Sequence, residues 1–202
     1  DIAFDLSPTG KIDVSCGTHK YGYAGNWKLQ AENSTDGYHL GFLHRSMLQI
    51  LMERAGINAA PGYTGKSPFL VKSIGNGHVA WDMSSPESEA LILGNNADLP
   101  PAQKEYVDSL IAAHGQDHAR KVLRRGGAHV LIFPNLVFIQ THIRIIRPIA
   151  VGNTEVFLYP YRLCEVSSAI NTRRLKGHQS FYGPAGGGAT DDLEVFDRVS
   201  RG

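Results

Sequence analysis

Cysteine is scarce in this chain: its 202 residues hold two, Cys16 and Cys164. That is too few for the disulfide framework that staples small secreted folds. Charge of one sign is missing as well, since 20 Lys and Arg against 19 Asp and Glu leave a net +1. Such a balance offers no electrostatic footprint for nucleic acid, and no basic stripe interleaved with aromatics compensates for it. Long apolar runs are absent too. The longest, Val130 to Gln140, is interrupted by Pro134 and Asn135 and falls short of the roughly 20 residues a spanning helix needs. The opening Asp1-Ile2-Ala3-Phe4-Asp5 has neither the basic flank nor the apolar core of a signal peptide, so a soluble, cytoplasmic protein is expected. At 42% hydrophobic and 19% charged residues, the chain fits a single globular domain, residues 1–202, that buries roughly 70% of its extended surface.

What is present is concentrated between Asn26 and Ser46, NWKLQAENSTDGYHLGFLHRS. Asp36, His39 and His44 fall within nine residues, with Asn33 just upstream. Neutral imidazole is the commonest metal ligand, and two His with one carboxylate leave open positions that suit non-haem Fe(II) and O2. The competing reading is a pair of helix histidines satisfied by hydrogen bonds, and spacing leaves both open. A step of five residues turns roughly 140° around a helix, against about 40° for a step of four. A straight helix therefore does not aim His39 and His44 at one ion: either it is distorted near Gly41 or one ligand lies beyond a helix end. Asp36, three residues before His39, shares its face and suits a carboxylate that fixes the tautomer of a ligating imidazole.

The pattern N-W-K, E-N, then D-x-Y-H-x-x-x-x-H resembles the iron-binding segment of the α subunits of Rieske-type aromatic-ring-hydroxylating dioxygenases, most of all the benzoate and toluate branch. The resemblance implies that His39 and His44 ligate a mononuclear Fe(II) and that Asp36 is the catalytic residue bridging His39 towards the electron donor. It places the third ligand in a later segment of the form G-P-A-G, a short run, then D-D. Here that segment is Tyr182 to Asp192, making Asp192 the ligand and Asp191 its nearest competitor. Carboxylates also favour a helix N-terminus, where they offset the dipole, and both roles can hold at once.

The resemblance also implies a fold, α+β with the helix-grip (START-like) architecture, an antiparallel sheet packed on long helices. It implies a reaction, hydroxylation of an aromatic ring by O2 with electrons from NADH through a Rieske [2Fe–2S] centre, usually to a cis-dihydrodiol from an aromatic acid or hydrocarbon. Monooxygenation, demethylation, or an iron-free ligand-binding domain of the same fold are the alternatives. A hydrolytic zinc site lacks its H-E-x-x-H or Cys-rich set. A Rieske cluster needs two Cys and two His; Cys16-Gly-Thr-His19 offers one C-x-x-H pair and lies only eight residues before Trp27, so Cys16 and His19 are read as ordinary residues. The cluster is then expected on a domain outside this chain, in a neighbouring α subunit, and the chain as the catalytic domain of a longer subunit. Expected partners are O2, the aromatic substrate, a β subunit, and a ferredoxin and/or NADH-dependent reductase, in a trimeric assembly of α or αβ units, with no nucleic acid and no membrane.

Pocket candidates, chosen by nearness to the ligands or by strand alternation, are Asn33, Leu40, Leu43, Asn135, Val137, Ile139 and Tyr182. Gly186 to Gly188 predict a wider or looser pocket end than bulkier residues would give. A substrate carboxylate needs a basic or polar partner, for which Arg144, Arg147, Arg162 and His142 are the candidates; His78 reads as a strand residue without a catalytic role.

Along the chain, residues 10–25 predict one or two strands. Thr35 to about Ala55 predicts one helix ending at Gly56, and Ala59 to Gly77 predicts loops around a strand at Phe69–Ile74. A strand at Gly77–Trp81 and a cover at Met83–Asn96 follow. Pro100-Pro101 opens a helical stretch broken near Gly115 and ended by Gly126-Gly127. Strands are expected at His129–Phe133, Leu136–Arg147 and Thr154–Leu163, with a turn at Val151-Gly152-Asn153. A polar connector is expected over Asn171–Gln179.

Overall fold

The structure, a computed structural model, describes residues 3–54, 70–82, 99–124 and 128–202. The expected helix stops at Gly56 and Gly126-Gly127, most of the loops between Ala59 and Leu70 and the cover at Met83–Asn96 lie outside the described residues.

Period-two alternation builds the centre of the molecule. Strands β2 (His19–Tyr23), β3 (Leu70–Gly75), β4 (His78–Asp82), β5 (His129–Ile132), β6 (Leu136–Ile139), β7 (His142–Ala150) and β8 (Asn153–Pro160) form one antiparallel sheet in the order β2-β8-β7-β6-β5-β4-β3. A short pair, β1 (Ile12–Asp13) and β9 (Arg162–Leu163), stands apart from it. Because successive side chains point to opposite faces, β7 sends His142, Arg144 and Ile146 to one side and keeps all three buried. Cross-strand register extends that face into two rows. One runs Leu158, Arg144, Val137, Leu131, Val79; the next runs Pro160, His142, Ile139, His129, Trp81.

Helices α1 (Trp27–Asn33), α2 (Tyr38–Leu43), α3 (Arg45–Arg54), α4 (Pro101–His114), α5 (Gln116–Arg124), α6 (Ser168–Tyr182) and α7 (Ala189–Arg201) cover the sheet. Ala31 of α1 packs with Leu131, Val137, Ile139 and Ile146, and Phe196 of α7 with Tyr23, Val156 and Leu158. The other face carries Phe138 and Ile143 against a core of Tyr106, Leu110, Val122 and Leu123 from α4 and α5. This is an α+β antiparallel architecture, as expected. No helix among the described residues is long and apolar enough to cross a membrane.

Four boundaries differ from expectation. The helix from Thr35 is two helices, broken at His44, which sits between them at φ −95°, ψ 20°. Leu136–Arg147 is a hairpin rather than one strand, closed by Gln140-Thr141 with Ile139 opposite His142; neither turn residue carries a Gly, Pro or Asn signal. Thr154–Leu163 divides at Tyr161 into β8 and β9. Asn171–Gln179 is not a connector but the middle of α6. Its polarity hid it, because part of the buried face is Asn171 and His178. Asn171 is held by the backbone instead, accepting from Leu163 N at 2.9 Å and donating to Leu163 O at 3.0 Å.

Candidate metal centre

Three helix ends converge above the sheet. The Asn26 side chain caps α1, accepting from Lys28 N at 3.1 Å, and Asn33 stands at the far end of that helix. Asp36 stands just before α2, its carboxylate accepting from the backbone N–H groups of Tyr38 at 2.8 Å and His39 at 3.3 Å. His39 lies in the first turn of α2 and His44 just past its end, so the break removes the angular mismatch of a five-residue step. Asp191 and Asp192 occupy the first turn of α7, where carboxylates are favoured.

One ligand atom each from His39, His44 and Asp192 lies within 4.8 Å of the others. His44 Nε2 is 3.1 Å and His39 Nε2 3.9 Å from Asp192 Oδ1. First-row divalent ions hold imidazole and carboxylate donors at about 2.0–2.2 Å, which at right angles separates two donors by about 3 Å, so the spacing fits an ion with little closing movement. Asp192 is 7% exposed. Asp191 is turned outward, with Oδ2 3.5 Å from the other nitrogen of His44, Nδ1.

The protonation pattern matches as well. Asn33 Nδ2 donates to Asp192 Oδ1 at 3.0 Å and lies 3.2 Å from His39 Nε2, which therefore accepts. His39 Nδ1 then carries the proton and donates to Asp36 Oδ2 at 3.3 Å. That tautomer leaves the Nε2 lone pair unprotonated, held here by Asn33 N–H, which an ion would displace, and a carboxylate behind the ring is the usual support. His44 is fully buried, yet neither ring nitrogen has a hydrogen-bond partner of acceptable geometry. An orphaned buried nitrogen beside a carboxylate is explained by an ion that both would ligate. Burial draws the His44 imidazolium down, but Asp192 and Asp191 together outweigh it and raise the ring above its ordinary value. The centre thus favours positive charge.

Beside His39, His44 and Asp192 lies a cavity of about 160 Å³, lined by these three and by Asn33, Leu40, Trp81, His129, Arg144, Phe181 and Tyr182. Of the pocket candidates, Asn33, Leu40 and Tyr182 line it. Leu43 lies instead along an outer groove with Asp36, Val195 and Val199. Asn135 sits in the β5–β6 turn, donating to Ile146 O at 3.0 Å. Val137 and Ile139 are on the right face, but Ala31 and Trp27 pack over that part of the sheet and place them in the core. Alternation identified their face without showing what covers it. Trp81, His129 and Phe181 were missed; the signal for the first two was that they follow the ligand-facing phase of β4 and β5. His129 Nδ1 lies 2.9 Å from Ser34 O, to which it donates, and burial pushes its pKa down to about 3. Outside the cavity, His78 Nδ1 accepts from Phe133 N at 3.0 Å, a structural role.

The glycines before Asp191 serve packing rather than width. A Cβ on Gly188 would fall 2.4 Å from the Phe181 ring, and one on Gly186 2.5 Å from Phe181 O. The space they release is filled by Phe181, which forms a cavity wall and meets His44 edge-on at 5.2 Å between centroids.

The family described as ring hydroxylating alpha subunit (catalytic domain) matches residues 14–202. The large subunit of anthranilate 1,2-dioxygenase from Acinetobacter baylyi is 30% identical over 210 residues, taking in 100% of this chain and 44% of that protein. The large subunit of 2-halobenzoate 1,2-dioxygenase from Burkholderia cepacia is 29% identical over 207 residues, with 100% and 43% covered. The chain therefore spans less than half the length of these relatives. A solved naphthalene 1,2-dioxygenase with indole bound in its active site superposes with a TM-score of 0.70 at 24% identity, over 98% of this chain and 46% of that one.

Proposed function

This chain belongs to the family of ring-hydroxylating α-subunit catalytic domains, and on that premise we propose that it is the oxygenation domain of a non-haem iron dioxygenase acting on an aromatic acid or hydrocarbon. The observation that carries the reading is the buried meeting of His39, His44 and Asp192 above a largely apolar cavity. These three residues would hold a mononuclear Fe(II), whose bound form supplies O2 activation at its open positions. Aromatic ring, O2, two electrons and two protons then balance to a cis-dihydrodiol.

The chain's own residues do the rest. Asn33 holds Asp192 in place, and Asp36 behind the ring fixes the His39 tautomer. Leu40, Trp81 and Phe181 bind the ring by apolar contact and keep water from the reacting carbons. Asp36 is the proposed electron bridge: it backs His39, its side chain is 40% exposed, and Tyr38 and Phe42 on the helix that follows it are exposed as well. The two electrons start on NADH and arrive through a Rieske [2Fe–2S] cluster outside this chain, on a neighbouring α subunit of a trimeric α or αβ assembly. A ferredoxin and/or reductase feeds that cluster, and a cytoplasmic setting suits this supply.

The test is iron content with O2-dependent turnover of benzoate-like acids, in the presence of a cluster domain and reductase. Asp192→Ala should lose iron, whereas Asp36→Ala should keep iron and lose turnover. Iron unaffected by Asp192→Ala would move the third ligand elsewhere, and a wild-type protein that binds no iron would sink the reading.

A further inference from the structure

We propose that Arg144 is a carboxylate-binding residue of the cavity, and that the ligand taken there is a single-ring aromatic carboxylate held between this guanidinium on the sheet and the metal-ligand set on the helices. The inference deepens the oxygenase reading and rests on it for the ligand's being a substrate.

Arg144 is only 3% exposed and lines the cavity from β7. A guanidinium cannot shed its charge in a protein, so burial leaves it cationic. Nη1 donates to Ser34 Oγ at 2.9 Å and the group lies 5.5 Å from the centre of the Tyr182 ring. Its Nε is buried without a hydrogen-bond partner. No carboxylate among the described residues comes within ion-pair distance of it, whereas the surface arginines Arg147, Arg162, Arg198 and Arg201 pair with Glu155, Asp13, Glu194 and Asp197. A buried charge without a counter-charge is costly, and an anion entering the cavity would complete the site, with the planar fork suited to a carboxylate.

The other basic groups nearby do not compete. His129 is held neutral by burial. His142 and His178, packed behind the cavity, are pushed down by burial and by the Arg144 charge itself. Asp192 shares the cavity but is engaged by Asn33 and the two imidazoles. The volume suits one ring: about 160 Å³ compares with the roughly 150 Å³ of an apolar cavity that takes up benzene. Leu40, Trp81 and Phe181 supply apolar walls for one ring.

Equilibrium binding to the iron-loaded protein tests this without turnover, using benzoate, benzamide and toluene as probes. Benzoate should bind wild type at least tenfold more tightly than benzamide. In Arg144→Gln its Kd should rise by about 10- to 100-fold, the loss of a charge-assisted hydrogen-bonded contact, and Arg144→Lys should recover part of it. Toluene binding should change less than threefold in either variant, which also reports an intact cavity. Benzoate affinity unchanged in Arg144→Gln would overturn the proposal. If that variant loses toluene as well, the wild-type comparison decides: benzoate bound no better than benzamide overturns the proposal, and tighter binding upholds it. Acetate that displaces benzoate at equal concentration would overturn the aromatic part. Iron-free protein that cannot be reconstituted but binds benzoate through Arg144 would sink the oxygenase reading alone; iron-loaded protein that oxidises toluene but is indifferent to benzoate would sink this one alone.

Discussion

One methyl group added at Gly188 tests how the loop before α7 delivers Asp192. The backbone there has φ −117° and ψ −61°, which alanine adopts freely, so the cost is steric alone. The new Cβ would lie 2.4 Å from Cε1 and Cζ of Phe181 and 2.6 Å from Cε2. Carbon atoms settle at about 3.5–4.0 Å, so the ring must retreat by roughly 1 Å. Two of its flanks are taken, by His44 at 5.2 Å and Tyr182 at 4.6 Å between centroids, and part of the remaining space is the cavity. Overpacking of this kind costs about 1–3 kcal/mol, and disturbing a group packed on His44, a proposed metal ligand, should weaken metal binding by about tenfold or more. Urea unfolding and metal titration of Gly188→Ala should show both losses. Two neighbours calibrate them. A Cβ on Gly187 meets Met47 Sδ at 3.2 Å, a thioether that yields easily, so Gly187→Ala should change little. Gly177 lies exposed within α6 with nothing within 4 Å, and Gly177→Ala should stabilise by up to about 1 kcal/mol. A Gly188→Ala protein as stable and as metal-avid as Gly187→Ala would refute the placement of Phe181 and the packing role given to the glycines.

Two further perturbations probe the floor of the site. Ser34 Oγ donates to Gln30 O at 2.6 Å and accepts from Arg144 at 2.9 Å; Ser34→Ala should destabilise by about 1–3 kcal/mol in urea unfolding, the cost of a buried donor left unpaired, and an unchanged midpoint would mean that Arg144 has another partner. His178 is buried against His19, His142 and Tyr182, and burial first, then the charges of His19 and Arg144, lower its pKa to about 4 from 6.5. A depressed histidine leaves the unfolded chain binding more protons between those values, so its contribution is intact above pH 6.5 and lost as pH falls towards 4. At pH 5 the linkage is worth about 2 kcal/mol, and His178→Phe should gain that much stability relative to its own effect at pH 8; a pH-independent difference would contradict the burial assigned to the ring.

The proposed ligands and the cavity-lining residues were unequally legible, for a physical reason. His39, His44 and Asp36 lie on one short stretch, where helix geometry relates sequence distance to direction, and even the awkward five-residue step pointed to the break found at His44. The proposed third ligand, Asp192, 148 positions after His44, was reachable through a resemblance. Strand periodicity carries less. It correctly paired faces, but Val137 and Arg144 are direct cross-strand partners on the same face, and one is covered by Ala31 and Trp27 while the other opens onto the cavity. What separates them is which part of the sheet a helix covers, a property of packing between distant segments. The same holds for the choice among the basic residues. Arg162 is removed from consideration by Asp13, which is 149 residues away, and Arg147 by Glu155 across the β7–β8 ladder. His142 lies fully buried and neutral one row aside. Arg144 stands out only after those partners are known, because what marks it is a buried charge that no acid among the described residues pairs with.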